Sequence, residues 1–434
     1  MTVTVVGLGK IGLPLAVQFA RKGEMVLGAD INQETVDLVN KGIEPFPEEA
    51  NLQEYLEIVV KEGKLKASTS TTKCVENSDV VVVVVPLFVN SSAEPDFRAM
   101  DSATEEIAKG LQKGTLVAYE TTLPVGTTRN RFTKILEQIS GLKVGEDFHV
   151  VFSPERVLTG RVFSDLRKYP KIVGGVTEKC AEVGRAFYSR VLDFDPRDDL
   201  ERENGVWVLD SCESAEFVKL AETTYRDVNI GLANQFAKFA DEVGLNIFDV
   251  IDSANSQPYS HIHQPGIAVG GHCIPIYPQF YLWSDPSASI VSAARKTNAN
   301  NPKNIVLKSL ANIELKGENA LVIGVSYREG VKESAFSGVF PIVDTLESIG
   351  LTTYVIDDLY DREEIERLEL NILEKNLQEI KVVVIHTPMK DTDEILMQTP
   401  INSIIVDGRN YITEDLRSKL HPREIHPKLQ HREG

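Results

Sequence analysis

Four cysteines in 434 residues are too few and too scattered for a disulfide framework. Cys74, Cys180, Cys212 and Cys273 never form a CxxC pair, and no cluster has the spacing of a zinc site. Long apolar runs are missing too, and none approaches the roughly 18 residues that a membrane span needs. Basic residues are the minority, 46 Lys and Arg against 64 Asp and Glu, for a formal charge of −18. That excess argues against general binding to a phosphate backbone, although local donors can still hold a small anion. The chain opens directly on a strand-like "MTVTVVGLG" with no signal-peptide pattern. These absences predict a soluble cytoplasmic protein that binds no nucleic acid, no membrane and no metal.

What is present is ordinary globular composition, 42% hydrophobic and 25% charged. Val-rich runs alternate with helix-like stretches through the first part of the chain: "VTVVGLG", "EMVLGAD", "DVVVVVVPL", "GTLVAYETT" and "FHVVFSPE". Continuous apolar runs of this kind suit parallel strands buried on both faces, so the fold class is α/β with a doubly wound sheet. The order recurs near the C-terminus in "NALVIGVSY", "TTYVIDD", "IKVVVIHTP" and "NSIIVDGRN", which predicts a second, smaller Rossmann-like domain with a degenerate glycine pattern. Between them, residues 211–244 carry apolar side chains at three- and four-residue spacing and end on Gly244, the pattern of one long helix. It serves equally as an internal bridge or as a face for a partner subunit. The expected division is 1–200, 201–310 and 311–434.

The first chemical signal is Gly7-x-Gly9-x-x-Gly12 between a strand and a helix. The first glycine makes the turn, the second admits a pyrophosphate and the third lets helix and strand approach. The helix N-terminus then faces the phosphates. Asp30 ends the next strand, where a carboxylate accepts from ribose hydroxyls and repels a 2′-phosphate, so NAD is expected rather than NADP. The second signal is Cys273 in "GGHCIPIYPQF". Hydride transfer alone needs no cysteine. Oxidation beyond an aldehyde does, because a thiolate adds to the aldehyde, the thiohemiacetal loses a hydride and the thioester is hydrolysed. Against this stands the frequency with which cysteine is simply buried.

The motifs "GLGKIGLPLA", "TTLPVGTT", "SPERVLTG", "EFVKLAETTYRDVNIGLANQFA", "GGHCIP" and "DGRN" together resemble the UDP-glucose/GDP-mannose dehydrogenase family along essentially the whole chain. "SPERV", "YRDVNI" and "GGHCIP" are closer to its N-acetylhexosamine branch, which implies a UDP-N-acetylhexosamine substrate, with UDP-N-acetylmannosamine first, in polysaccharide or glycan synthesis. The resemblance implies Cys273 as nucleophile, Lys219 as the cation at the C6 oxyanion, Glu155 as the group assisting proton transfer, and Thr122 as a positioner of water or cofactor. Lys10, Ile11, Pro86 and Lys332 join the glycine loop and Asp30 as cofactor contacts. Arg156, Thr223, Tyr259, Gly270, His272 and Arg328 join Glu155 and Lys219 around the sugar nucleotide. A homodimer through the long helix is implied as well.

Each residue also has a bland reading. Lys219 alone would be a solvated helix lysine, though Phe217 and Leu220 beside it allow a half-buried one. Glu155 alone would be a surface charge at a strand end, and Thr122 a strand threonine. His272 adjoins Cys273, but adjacent residues rarely face each other, which favours a substrate or packing role over a dyad. Departures from the family pattern fall around the sugar. Tyr277 stands where an aspartate is usual, Thr223 replaces an asparagine, Tyr259 an arginine, Arg328 a lysine and Lys332 an arginine. A phenol with a pKa near 10 is a poor base at neutral pH. Three functions therefore compete: a four-electron dehydrogenase, a binder of NAD and nucleotide sugar with impaired turnover, and a two-electron alcohol dehydrogenase.

Overall fold

The apolar runs form strands where the sequence places them. In the computed structural model, which describes residues 1–46, 48–90, 92–373 and 376–426, eight strands make the first sheet. They are β1 (Thr2–Val6), β2 (Met25–Ala29), β3 (Leu65–Ser68), β4 (Val80–Val83), β5 (Leu116–Tyr119), β6 (His149–Phe152), β7 (Lys171–Gly175) and β8 (Val206–Leu209). Their order is β8-β7-β6-β5-β4-β1-β2-β3. Strands β1 to β6 run parallel. The pairing of β6 with β7 is antiparallel, so the sheet is mixed where an all-parallel one was expected. An antiparallel neighbour needs no full crossover, and the connection here holds only the short helix Val162–Lys168.

Helix α1 (Gly12–Arg21) packs on this sheet through Leu13, Leu15, Ala16, Val17, Phe19 and Ala20. Val3, Val5, Val82 and Ala118, all fully buried, come from the strands of the same core. Helix α2 (Glu178–Val191) adds Phe187, Tyr188 and Val191.

The second sheet contains β9 (Asn319–Ile323), β10 (Thr352–Ile356), β11 (Ile380–Ile385), β12 (Ile404–Asp407) and β13 (Glu424–His426), in the order β10-β9-β11-β12-β13 and all parallel. The last eight positions of the expected C-terminal domain, 427–434, lie outside the described residues.

The long helix is α3 (Cys212–Val243), 32 residues closed by Gly244 at φ +74°. Its inward stripe differs from the apolar one that spacing suggested. Thr223, Asp227, Gly231 and Asn234 are buried, while Phe217, Leu232, Phe236 and Phe239 are exposed. The polar stripe is viable because its groups are paired. Asp227 accepts from Arg295 Nε at 2.5 Å and from Asn298 Nδ2 at 2.8 Å, and Asn234 donates to Asn298 at 3.0 Å. Helices α4 (Tyr277–Ser284) and α5 (Ser289–Ser309) follow, and a Cβ on Gly231 would lie 3.2 Å from Ala294 of α5.

The chain divides into two compact units. One contains residues 1–222 and 279–284, the other 223–278 and 285–434.

Candidate active site

In the first unit, the turn after β1 has the geometry a dinucleotide requires. Gly7 sits at φ +93°, and its N–H donates to Ala29 O at 2.8 Å. A Cβ on Gly12 would fall 1.8 Å from Gly7 O, so only glycine lets α1 start there. A Cβ on Gly9 would meet nothing within 4 Å. The open space at Gly9 is the cradle a side chain would fill and a pyrophosphate can enter. Asp30 holds this loop, accepting from Leu8 N at 2.7 Å and Asn32 N at 2.9 Å. A carboxylate has about four lone-pair positions, so acceptor capacity is left for ribose hydroxyls. Lys10 pairs with Glu48 at 2.8 Å, and Ile11 is the N-cap residue just before α1. These residues fit NAD.

The neighbouring loops are fastened from below. Pro86 is exposed in the loop after β4, and Thr121 Oγ1 fixes that loop by donating to Val85 O at 2.7 Å. Thr122 is buried beside it. The following turn is held by Glu216 of α3, which accepts from Gly126 N at 2.5 Å, Thr128 N at 2.8 Å and Thr128 Oγ1 at 2.6 Å. Burial pushes the Glu216 carboxyl up to about 7 against these donors. Lys219, one turn further along α3, is half-buried as its apolar neighbours suggested.

Glu155 is not an isolated surface charge. Its Oε2 accepts from Lys171 Nζ at 2.9 Å and its Oε1 from Arg156 N at 2.8 Å. Lys171 also donates to Glu120 at 2.8 Å, and Tyr188 OH donates to the other Glu120 oxygen at 2.6 Å. Burial acts most strongly against ionised Glu155, but the Lys171 cation together with hydrogen bonds from Glu120, Lys171 and Arg156 N holds Glu155 below the usual carboxylate range. Arg156 reaches Pro170 O at 3.1 Å and Glu222 at 2.5 Å. Sequence reading missed Glu120, Lys171 and Tyr188. The available signal was a lone charge at the end or start of a Val-rich strand.

In the second unit, Cys273 is exposed, whereas Cys74, Cys180 and Cys212 are buried. Its loop is braced on one side by the turn after β9. A Cβ on Gly270 would lie 2.5 Å from Tyr327 Cβ, Gly271 sits at φ +85°, and Gly271 N donates to Ala335 O at 2.9 Å. On the other side Cys273 O accepts from Tyr277 N at 2.9 Å, which ties the cysteine to the start of α4. Arg295, anchored on Asp227, donates to Pro275 O at 3.2 Å. Arg409 of "DGRN" donates to His386 O at 2.7 Å and Ala268 O at 3.2 Å, so that motif clamps the approach to the cysteine loop. Asp227 and Arg295 were not foreseen, because pairing between distant helices leaves no local pattern.

The remaining residues of this unit are more dispersed. His272 Nε2 lies 3.6 Å from Glu333. Arg328 has a buried Nε with no hydrogen-bond partner among the described residues. Lys332 pairs with Glu364 at 2.5 Å. Thr223 is buried on α3, and Tyr259 is 92% exposed.

Three family models match the chain in sequence order. They are the NAD binding domain of the UDP-glucose/GDP-mannose dehydrogenase family over residues 1–192, its central domain over 213–300 and its UDP binding domain over 321–414. A UDP-N-acetyl-D-mannosamine dehydrogenase of Pyrococcus horikoshii is 33% identical over 425 residues, covering 95% of this chain and 96% of that protein. A solved structure of a UDP-D-ManNAc dehydrogenase from Pyrococcus horikoshii superposes with a TM-score of 0.84 at 32% identity, over 95% of this chain and 96% of that one. An NDP-N-acetyl-D-galactosaminuronic acid dehydrogenase structure from Methanosarcina mazei gives 0.80 at 26% identity, over 98% and 94%. With an NAD-fitting glycine turn and these matches along its length, the chain belongs to the UDP-glucose/GDP-mannose dehydrogenase family of NAD-dependent nucleotide-sugar dehydrogenases.

Proposed function

We propose that this protein oxidises the C6 alcohol of a UDP-N-acetylhexosamine, UDP-N-acetyl-D-mannosamine first, to the uronic acid. The observation that carries the reading is Cys273, the exposed cysteine among four, in a loop braced by Tyr327, Arg295 and Arg409. A thiolate there adds to the C6 aldehyde, the thiohemiacetal gives up a hydride to become a thioester, and water opens the thioester. Lys219 stabilises the oxyanion as a fixed cation. Glu155, held ionised by Lys171, takes the proton. Bound NAD supplies the hydride acceptor, used twice per sugar. The orphaned Arg328 Nε suits a diphosphate oxygen, a buried donor that otherwise lacks an acceptor. Thr122, Arg156, Thr223, Gly270 and His272 are assigned to the surrounding contacts, and the product is assigned to polysaccharide or glycan synthesis.

A homodimer is part of the proposal. Tyr225, Leu232, Phe236, Phe239 and Val243 leave an apolar face of α3 open to solvent, 59% exposed at Tyr225 and at Phe239. Such a face suits a second copy of the helix.

The test is turnover with UDP-N-acetylmannosamine, UDP-N-acetylglucosamine, UDP-N-acetylgalactosamine and UDP-glucose, read by NADH yield and product mass. Two NADH per sugar and an acid product are expected, highest with the first substrate. One NADH and an aldehyde would reduce the reaction to a two-electron oxidation. Tight binding of both ligands with no NADH would replace it with the binding protein that Tyr277 and Thr223 allow.

A further inference from the structure

Behind Glu155 lies a buried set of ionisable groups drawn from four elements. Glu120 follows β5, Glu155 follows β6, Lys171 opens β7 and Tyr188 comes from α2. Glu120 is 1% exposed and Lys171 5%. Lys171 Nζ bridges the two carboxylates at 2.8 and 2.9 Å, and Glu155 N donates to Glu120 O at 3.3 Å. Two carboxylates therefore share one cation away from water. With both ionised the set carries an uncompensated negative charge, and one added proton neutralises it.

We propose that Glu120 is a positioning residue that stores the proton Glu155 removes, so that Glu155 returns to its ionised form between steps. The inference rests on reading Glu155 as the base. Oxidising an alcohol to an acid releases protons from the C6 hydroxyl and from the attacking water, so the base must be emptied between them. The exchange balances simply. Glu155 carboxylate takes a proton from an O–H, that proton passes to Glu120 carboxylate, and Glu155 is ionised again while Lys171 stays cationic. No electron moves.

Environment separates the two acids in the sense this role needs. Burial pushes Glu120 up to about 7, Lys171 opposing, while Glu155 lies below its ordinary value. Pairs of acids driven apart in this way divide the roles of proton store and working base. The charged and titratable groups facing Glu120 among the described residues are Lys171, Glu155 and Tyr188. Burial holds the Tyr188 phenol well above its usual value, so it stays a donor. The arrangement also gives a proton outlet in a chain with Tyr277 where its family places an aspartate.

The experiment is Glu120→Gln, which keeps the shape and acceptor toward Lys171, studied beside the parent protein and Glu155→Gln. In steady state the variant should lose about tenfold in kcat, with KM for both substrates unchanged, and lose the inflection of kcat near neutral pH. A purely structural knot would shift the melting temperature and leave that inflection in place. Carboxyl-stretch infrared titration of the substrate-free proteins supplies a readout that needs no turnover. Two buried carboxyls, Glu120 and Glu216, should protonate near neutral pH in the parent and in Glu155→Gln, and only the Glu216 band should remain in Glu120→Gln. No difference in that titration between the parent and Glu120→Gln, with Glu155→Gln inactive, overturns the store alone. Parental kcat in Glu155→Gln overturns the base reading and the transfer together.

Discussion

The two sheets open with the same turn and use it differently. Gly7 lies at φ +93° with its N–H on Ala29 O, and Asp30 accepts from Leu8 N at 2.7 Å. Gly324 lies at φ +92° with its N–H on Ile356 O, and Asp357 accepts from Val325 N at 2.7 Å and Ser326 N at 3.0 Å. After the first turn α1 starts at once, and Gly9 leaves space for a ligand. After the second the chain continues through Tyr327 and Phe336 before the helix Val339–Ser348, and that excursion receives Gly270 and Gly271 of the cysteine loop. One copy of the turn is kept open to a cofactor. The other is filled by the protein's own chain and supports the Cys273 loop.

The contrast can be broken from the cysteine outward. Cys273→Ala should lower acid formation by about three orders of magnitude or more, with NAD affinity unchanged in calorimetry. Next comes a crossed pair of glycine substitutions. Gly9→Val should weaken NAD binding about a hundredfold by filling the cradle while leaving the fold intact. Gly270→Val puts its side chain into Tyr327, and should instead cut turnover about a hundredfold by displacing Cys273, with NAD affinity retained. Equal losses of NAD affinity in both would dissolve the distinction.

The aspartates should separate in the same way. Asp357→Ala leaves Val325 N, Ser326 N and Leu359 N without their acceptor, at about 1–3 kcal/mol for each buried donor, seen as a lower melting temperature. Asp30→Ala should cost about tenfold in NAD affinity and relax discrimination against NADP.

The smallest effect is on stability against pH. Glu120 titrates higher in the folded protein than in the unfolded chain. Its contribution is complete below the unfolded carboxyl pKa and is lost as pH rises through about 7. Glu120→Gln should therefore gain on the parent in melting temperature as pH goes from about 5 to 8, and a gain that shrinks over that range would contradict the assignment.

Much of this was legible before any coordinates. Val-rich runs marked both sheets, because a strand buried on two faces has no room for polar residues. Gly7, Gly9, Gly12 and Asp30 were found by spacing, since each answers a backbone or charge requirement local to one turn. Strands β3 and β7 were missed because Lys66 and Lys171 break their apolar runs, and β8, which carries no charge, was missed as well. The antiparallel β7 was missed because direction leaves no mark in composition. Glu120, Lys171, Asp227 and Arg295 escaped for a common reason: a buried ion pair is assembled from elements far apart in the chain. On α3 the apolar spacing was read correctly, but the side of the helix it occupies was set by Asp227 and Asn234, whose partners lie on α5.

The central claim is that Cys273 carries the sugar through its second oxidation. Protein quenched in acid during turnover of UDP-N-acetylmannosamine, digested and analysed by mass spectrometry, tests it directly. The account predicts an acyl adduct of the oxidised sugar nucleotide on the peptide holding Cys273, absent without NAD. Acid formation at the parent rate by Cys273→Ala, with no adduct on the parent peptide, would contradict it.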